Sequence, residues 1–342
     1  MNRELVCKVA DAVLYEGYML YPYRPSAIKN QQRWSFGILY PPAYQEVRDG
    51  TERNYLHSEC LLEIAGNAAL HIELRFLHLL FRQVARSVEG RFEPVPSLLA
   101  NGHLVESWDE GVTRSVELNV SPLATPRFTI PQQHPFRFPG STETKLLHDD
   151  VGAVTGSISR TQHEVSGTIS ILPEVIRQGL LKLSLDVTNT TGMQESGDRN
   201  SALLRSLLSA HIILAAERAS FVSLLDPPED LREPAAHCRN LGNFPVLAGS
   251  PPERDMLLCS PIVLYDYPQI APESASDFYD ATEMDEMLTL RMLTLTSEEK
   301  NEMRHADDRL RNLLERTEQS ARQQLMRTHG TIRGMRPVSG KP

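Results

Sequence analysis

Leu181-Lys-Leu-Ser-Leu-Asp-Val-Thr-Asn189 alternates apolar and polar residues without a break. A period of two puts Leu181, Leu183, Leu185 and Val187 on one face of a strand and the polar residues on the other. The same rhythm extends outward on both sides. Glu164 to Leu172 and Ala153 to Ile158 read as strands, as does Gly111 to Val120. Further back, His71, Glu73 and Arg75 alternate with Ile72, Leu74 and Phe76. A strand with one buried and one solvated face belongs to an antiparallel sheet.

Earlier segments extend the pattern. Glu59 to Ile64 and Ala69 to about Arg86 flank Ala65-Gly66-Asn67, which reads as a hairpin turn. Trp34 to Tyr40 reads as a strand stopped by Pro41-Pro42, and Cys7 to Leu20 as one rich in Val, Leu and Tyr. Between 121 and 150, Pro122, Pro126, Pro131, Pro135 and Pro139 argue against any regular element.

The character changes after 190. Ser201 to Arg218 shows no β period and reads as a buried helix, apolar nearly all round. Ala219 to Leu225 and Asp255 to Tyr267 read as strands, and Thr282 to Leu293 as a helix. Thr296-Ser-Glu-Glu299 is a capping box, opening a long helix to about Arg327. Its narrow stripe includes Met303, Leu310, Leu314 and Leu325. Such a stripe suits docking on its own domain or a homo-oligomeric contact through 297–326.

The fold class expected is α+β, with a mainly antiparallel β part, sandwich- or barrel-like, followed by a helix-containing C-terminal part. The expected organisation is a β-rich domain over 1–120, a Pro-rich connection over 121–150, strands then an α+β region over 151–326, and a disordered basic tail over 327–342.

A formal charge of −9 argues against non-specific nucleic-acid binding, which draws on Lys and Arg. No stretch is long and apolar enough to suggest a membrane span. Cys7, Cys60, Cys238 and Cys259 are scattered with no C-x-x-C pair, which suits a reducing cytoplasm rather than a disulfide framework.

Three sets of residues bear chemistry. The first follows Tyr15 and Tyr18: Tyr21, Tyr23, Arg24, Lys29 and Arg33 crowd aromatics against cations. Tyrosine rings want burial and cations clamp acidic groups, so the set suits partner binding or an aromatic two-faced strand. The second, Asp266, Glu273, Asp280 and Glu283, lies in an acidic, aromatic stretch over 265–286. It suits an acidic docking face or the capping of a helix. The third pools His57, Cys60, His237, Cys238 and Cys259. The atom types suit zinc, but structural zinc sites normally pair close ligands on each side, and this spacing does not. No resident cofactor is expected. No phosphate-cradling glycine loop and no nucleophile-elbow motif is present.

Taken together, Ala10-Asp-Ala-Val-Leu-Tyr-Glu-Gly-Tyr-Met-Leu-Tyr-Pro-Tyr-Arg24, Ser26-Ala-Ile-Lys-Asn30, Arg33-Trp-Ser-Phe-Gly37, Phe221-Val-Ser-Leu-Leu-Asp-Pro-Pro228, Ser260-Pro-Ile-Val-Leu-Tyr-Asp266, Ala271-Pro-Glu-Ser274 and Asp280-Ala-Thr-Glu-Met-Asp-Glu286 resemble a bacterial family associated with [NiFe]-hydrogenase gene clusters. The resemblance covers about residues 9 to 300. It implies a cytoplasmic, non-catalytic accessory or assembly role, with a hydrogenase subunit or maturation protein as partner. It supplies no catalytic residues. The alternative is a cysteine- and histidine-dependent metal-binding protein or enzyme.

Overall fold

The computed structural model describes residues 3–15, 36–100, 103–121, 123, 130–149, 151–194, 197–270, 294–306, 311, 314, 315 and 318. The protein is mainly antiparallel β with few helices, 54% strand against 16% helix. In chain order the strands are β1 (Tyr55–Val88), β2 (Arg91–Val95), β3 (Ser97–Ala100), β4 (His103–Glu106), β5 (Trp108–Val120), β6 (Gln132–Phe138) and β7 (Ser141–His148). They continue as β8 (Val154–Gln162), β9 (Val165–Arg177), β10 (Leu180–Asn189), β11 (Leu208–Phe221), β12 (Asn240–Leu241), β13 (Phe244–Leu247) and β14 (Met256–Ser260).

The spine is β1, 34 residues long against a usual strand of about five or six. Its first part pairs with β10, and its later part pairs with β11 on one side and β5 on the other. Its last residues pair with β8 and β2. The main path runs β13-β14-β11-β1-β10-β9-β6. The sheet then folds over itself. Phe76 of β1 meets Phe138 of β6 edge to face at 5.7 Å, although β10 and β9 lie between those strands on the path. The core between the layers holds Leu70, Ile72, Leu74 and Phe76 of β1 and Leu181, Leu183, Leu185 and Val187 of β10. These are the residues that the alternation assigns to the buried face.

Four expectations are corrected. The expected hairpin at 65–67 is a bulge within β1. Both arms pair with the same strand, Ile64 with Ala219 and Ala69 with Glu217, so the chain kinks and runs on. Gly66 sits at φ +64°, and a glycine in that conformation serves a bulge as well as a turn.

Residues Arg3–Tyr15 form a helix, α1, where a strand is expected from Cys7. Val6, Val9, Ala10, Val13 and Leu14 recur at three- and one-residue steps and are all buried. That is a helical stripe, and it outweighs the β-propensity of its valines.

The expected helix over 201–218 is a short helix, Arg199–Leu203, followed by β11. One face of β11 fills the core through Ile212, Leu214 and Ala216. Its other face, through Ile213 and Ala215, is covered by Val6, Val9, Ala10 and Val13 of α1. A strand buried on both faces carries no period-two signal, and a continuous apolar run is ambiguous. Salt bridges from Arg3 to Glu73 (2.9 Å) and from Arg75 to Asp11 (2.5 Å) fasten α1 to β1.

Finally, 121–150 carries β6 and β7 where no regular element is expected. Pro135 is tolerated because β6 lies at the end of the path with β9 as its sheet neighbour, so a missing N–H costs no interior ladder bond.

Smaller differences concern segment ends. Of the expected 34–40 strand, the described part contributes one bridge, Leu39 to Leu207. The expected 255–267 strand ends at Ser260, just before Pro261. The capping box is present: Glu299 N–H donates to Thr296 Oγ1 (3.2 Å) and Thr296 N–H to Glu299 Oε2 (2.9 Å). It opens the helix Ser297–Ala306. Met303 and Leu314 are fully buried against Leu14, Tyr40, Leu77 and Leu79, so these two residues of the stripe pack inside their own chain. The expected helix over 282–293 and the tail over 327–342 lie outside the described residues.

Candidate binding cleft

Two strips of irregular backbone cross at one end of the sheet. Residues 36–40 are held by backbone bonds from Leu39 N to Leu207 O (2.9 Å), Ala210 N to Gly37 O (2.9 Å) and Tyr40 N to Arg53 O (2.8 Å). Beneath them Asn189 is fully buried and fully bonded. Its Nδ2 donates to the carbonyls of Leu39 (2.8 Å) and Arg205 (3.0 Å), and its Oδ1 accepts from Thr191 N (2.8 Å). A buried amide with its partners satisfied pins its surroundings.

The second strip, Ser260 to Leu264, leaves the end of β14 and passes over Gly37. Together the strips wall a cleft of about 1030 Å³, whose lining includes Phe36, Arg53, Arg199, Asn243, Phe244 and Val263.

Two features make the cleft a candidate binding surface. Its lining includes large apolar side chains left in water: Val263 is 94% exposed, Leu225 47% and Tyr55 41%. Apolar surface grouped with polar residues is typical of sites that take a partner. Asn243, only 8% exposed, also lines it, and among the described residues neither its Nδ2 nor its Oδ1 has a hydrogen-bond partner. A side-chain amide offers a donor and an acceptor side by side, which complements a peptide backbone. Tyr40 backs the wall; burial raises its hydroxyl pKa, against the pull of Arg199.

The sequence-derived candidates are dispersed. Tyr21, Tyr23, Arg24, Lys29, Arg33, Glu273, Asp280 and Glu283 lie outside the described residues. Phe36 and Gly37 of the lining follow the first of these segments directly in sequence. Asp266 is committed internally: its Oδ1 accepts from Leu247 N (2.8 Å) and its Oδ2 from Ser223 Oγ (2.5 Å).

The pooled zinc ligands do not converge. His57 and Cys60 project from opposite faces of β1. His57 Nδ1 pairs with Asp186 Oδ1 at 2.7 Å, while Cys60 lies in the core with Cys259. His57 belongs to a polar ladder in which Glu59 takes the Arg239 N–H (2.7 Å), the Ser184 hydroxyl (3.1 Å) and Lys182 (3.2 Å). Burial would raise the Glu59 pKa, but these donors together hold it below the usual value. His237 Nδ1 faces the Glu233 carbonyl at 2.7 Å. Burial pushes the Cys259 thiol up to about 12 and Cys238 to about 11, and burial, with Cys259 and Cys238 nearby, also raises Cys60 well above its ordinary value. Thiols held protonated in this way are poor nucleophiles and poor ligands. Among the described residues no group of three or more His, Cys, Asp or Glu side chains is arranged to hold a metal ion. Among them, too, no helix is long and apolar enough to cross a membrane.

Sequence reasoning missed Asn243, Arg53, Arg199 and Val263. The one signal near them is the turn-like Leu241-Gly-Asn-Phe-Pro245, which says nothing about a cleft.

No protein-family model matches the chain, and no curated protein matches it significantly.

Proposed function

We propose that the protein is a non-catalytic accessory factor of [NiFe]-hydrogenase maturation that binds a hydrogenase subunit or maturation protein in the cleft between 36–40 and 260–264. The partner class comes from the sequence resemblance. The observation that carries a binding role is Asn243, a nearly buried amide without a partner among the described residues, in a cleft that also exposes Val263, Leu225 and Tyr55. The Tyr21–Arg33 segment lies just before Phe36 in sequence, and we assign it a further share of partner binding.

The test is binding between the purified chain and purified hydrogenase subunits or maturation proteins. Val263→Asp and the double variant Tyr21→Ala/Arg24→Ala should each weaken capture while circular dichroism stays unchanged. Undiminished capture by both folded variants would sink the proposal. Elemental analysis of the same preparation addresses the rival class: stoichiometric nickel, iron or zinc, lost on Cys238→Ser or Cys259→Ser, would favour a metal-binding protein instead.

A further inference from the structure

The pairing of β1 has a seam. On one side its partner is β11 as far as Leu77, opposite Leu208, and then β8 from Phe81, opposite Thr161. At the seam the carbonyl of His78 accepts from Gln162 Nε2 at 3.5 Å. Side chains from three elements close around it. Arg114 comes from β5, His163 from the residue after β8, and Arg205 from the turn before β11.

The charges here are one-sided. Arg114 donates to Gln162 Oε1 (2.6 Å) and lies over the Phe138 ring, 5.0 Å from its centre. Arg205 faces His163 Nδ1 at 3.2 Å and donates through its other terminal nitrogen to the Ser201 carbonyl (2.9 Å). The charged neighbours felt by His78 are Arg114 and His163, and the one felt by His163 is Arg205. The adjacent acid, Glu164, is taken by Arg137. So, among the described residues, two guanidiniums and two imidazoles gather without a carboxylate, in a chain whose formal charge is −9.

Hydrogen bonding leaves the same gap. His78 is completely buried; among the described residues neither ring nitrogen has a hydrogen bond of ordinary geometry, and the nearest group to share its proton is the His163 backbone. Nε of Arg114 is buried and, among the described residues, unpartnered. Buried donors of this kind are costly unless something accepts from them. Packing explains the stack on Phe138 and the bond to Ser201. It does not explain two guanidiniums beside a buried imidazole, one of them with a buried Nε that finds no acceptor among the described residues. The half-buried Arg114, His163 and Arg205 give the cluster a route to solvent.

We propose that His78, Arg114, His163 and Arg205 form a binding site for a tetrahedral oxyanion of the phosphate class. Planar guanidinium forks match such oxygens, and charge-assisted bonds to them are the strong kind. The oxyanion is either free phosphate or the terminal phosphoryl group of a small molecule.

Calorimetric titration of the full chain with inorganic phosphate, at constant ionic strength, tests the site. One saturable site is expected, weakened at least about tenfold in Arg205→Gln and in Arg114→Gln. If Arg114→Gln fails to fold, Arg205→Gln and His163→Gln, at half-buried positions, carry the comparison. Phenyl phosphate distinguishes the two sources. Equal or tighter binding than phosphate indicates a phosphoryl group on a larger molecule, and binding of phosphate alone indicates the free ion. No saturable binding of either compound up to about 10 mM, or binding unaltered in both Arg205→Gln and His163→Gln, would overturn the site.

Discussion

The backbone of Gly37 lies directly against the ring of Pro261: a Cβ built on Gly37 falls 2.9 Å from both Cβ and Cγ of Pro261. The same Cβ would come 3.1 Å from the Ser209 backbone, and Gly37 sits at φ +59°. The two strips of the cleft wall therefore meet at this crossing, beside the backbone bonds that hold 36–40. Gly37→Ala should destabilise the protein by about 1–3 kcal/mol, from strain at positive φ and from crowding. Urea unfolding measures the loss. A variant within error of the parent would show that the strips are free to separate.

Asn243 should separate stability from binding. Its amide has no partner among the described residues, so Asn243→Leu removes a buried polar group without breaking a bond seen there. Stability is expected to hold or to rise by about 1 kcal/mol, while affinity for the partner falls about tenfold or more. Loss of stability in denaturant titration would reassign Asn243 to the fold.

Acid should weaken the fold through two buried histidines. Burial, with Arg114 nearby, lowers the His78 pKa to about 4, and burial, with Arg75 nearby, lowers that of His211 to about 3. Both stay neutral in the native state but bind a proton near pH 6.5 once unfolded. The unfolded state therefore holds more protons, and stability falls as pH drops from about 6.5 toward 4. The slope is about 1.4 kcal/mol per pH unit for each histidine in that window. Unfolding free energies measured across it should show this slope, and His211→Gln should lower it by one proton's worth. An unchanged slope in that variant would mean that His211 is not held neutral.

Thiol reactivity should divide the four cysteines. Cys60 and Cys259 are buried with raised pKa values, whereas Cys7 and Cys238 are part-exposed. Cys238 is held up to about 11 by burial, so it should label slowly despite its partial exposure. With a disulfide reagent at pH 8, Cys60 and Cys259 should label at the rate of unfolding. Fast labelling of either by peptide mapping would contradict its burial.

The sequence reveals the sheet wherever one face meets water. Leu181 to Asn189 and Gly111 to Val120 read correctly because their polar residues alternate. The same reasoning fails where both faces are covered: β11 lies between the core and α1, so nothing in its run of apolar residues distinguishes strand from helix. At Gly66, glycine chemistry fixes a change of direction, but the choice between turn and bulge belongs to β11, a partner far away in sequence. The valines of α1 conceal a helical stripe that the burial of Val6, Val9 and Val13 makes plain. The cleft is less legible still. Gly37, Asn243 and Pro261 are separated along the chain, and each is unremarkable without the crossing that joins them.

The length of β1 also constrains how the protein reaches its native state. His57 bonds to Asp186 across a separation of 129 residues, and its strand-mates recruit neighbours from further along the chain. Such pairings reward the chain only after long loops have closed, which places folding at the slow end of the range for β proteins. Until β10 and β11 have been synthesised and delivered, β1 presents an apolar ribbon with open hydrogen-bonding edges. That is the form most prone to pair with another chain, so this protein's exposure to aggregation is greatest before its own second half has emerged.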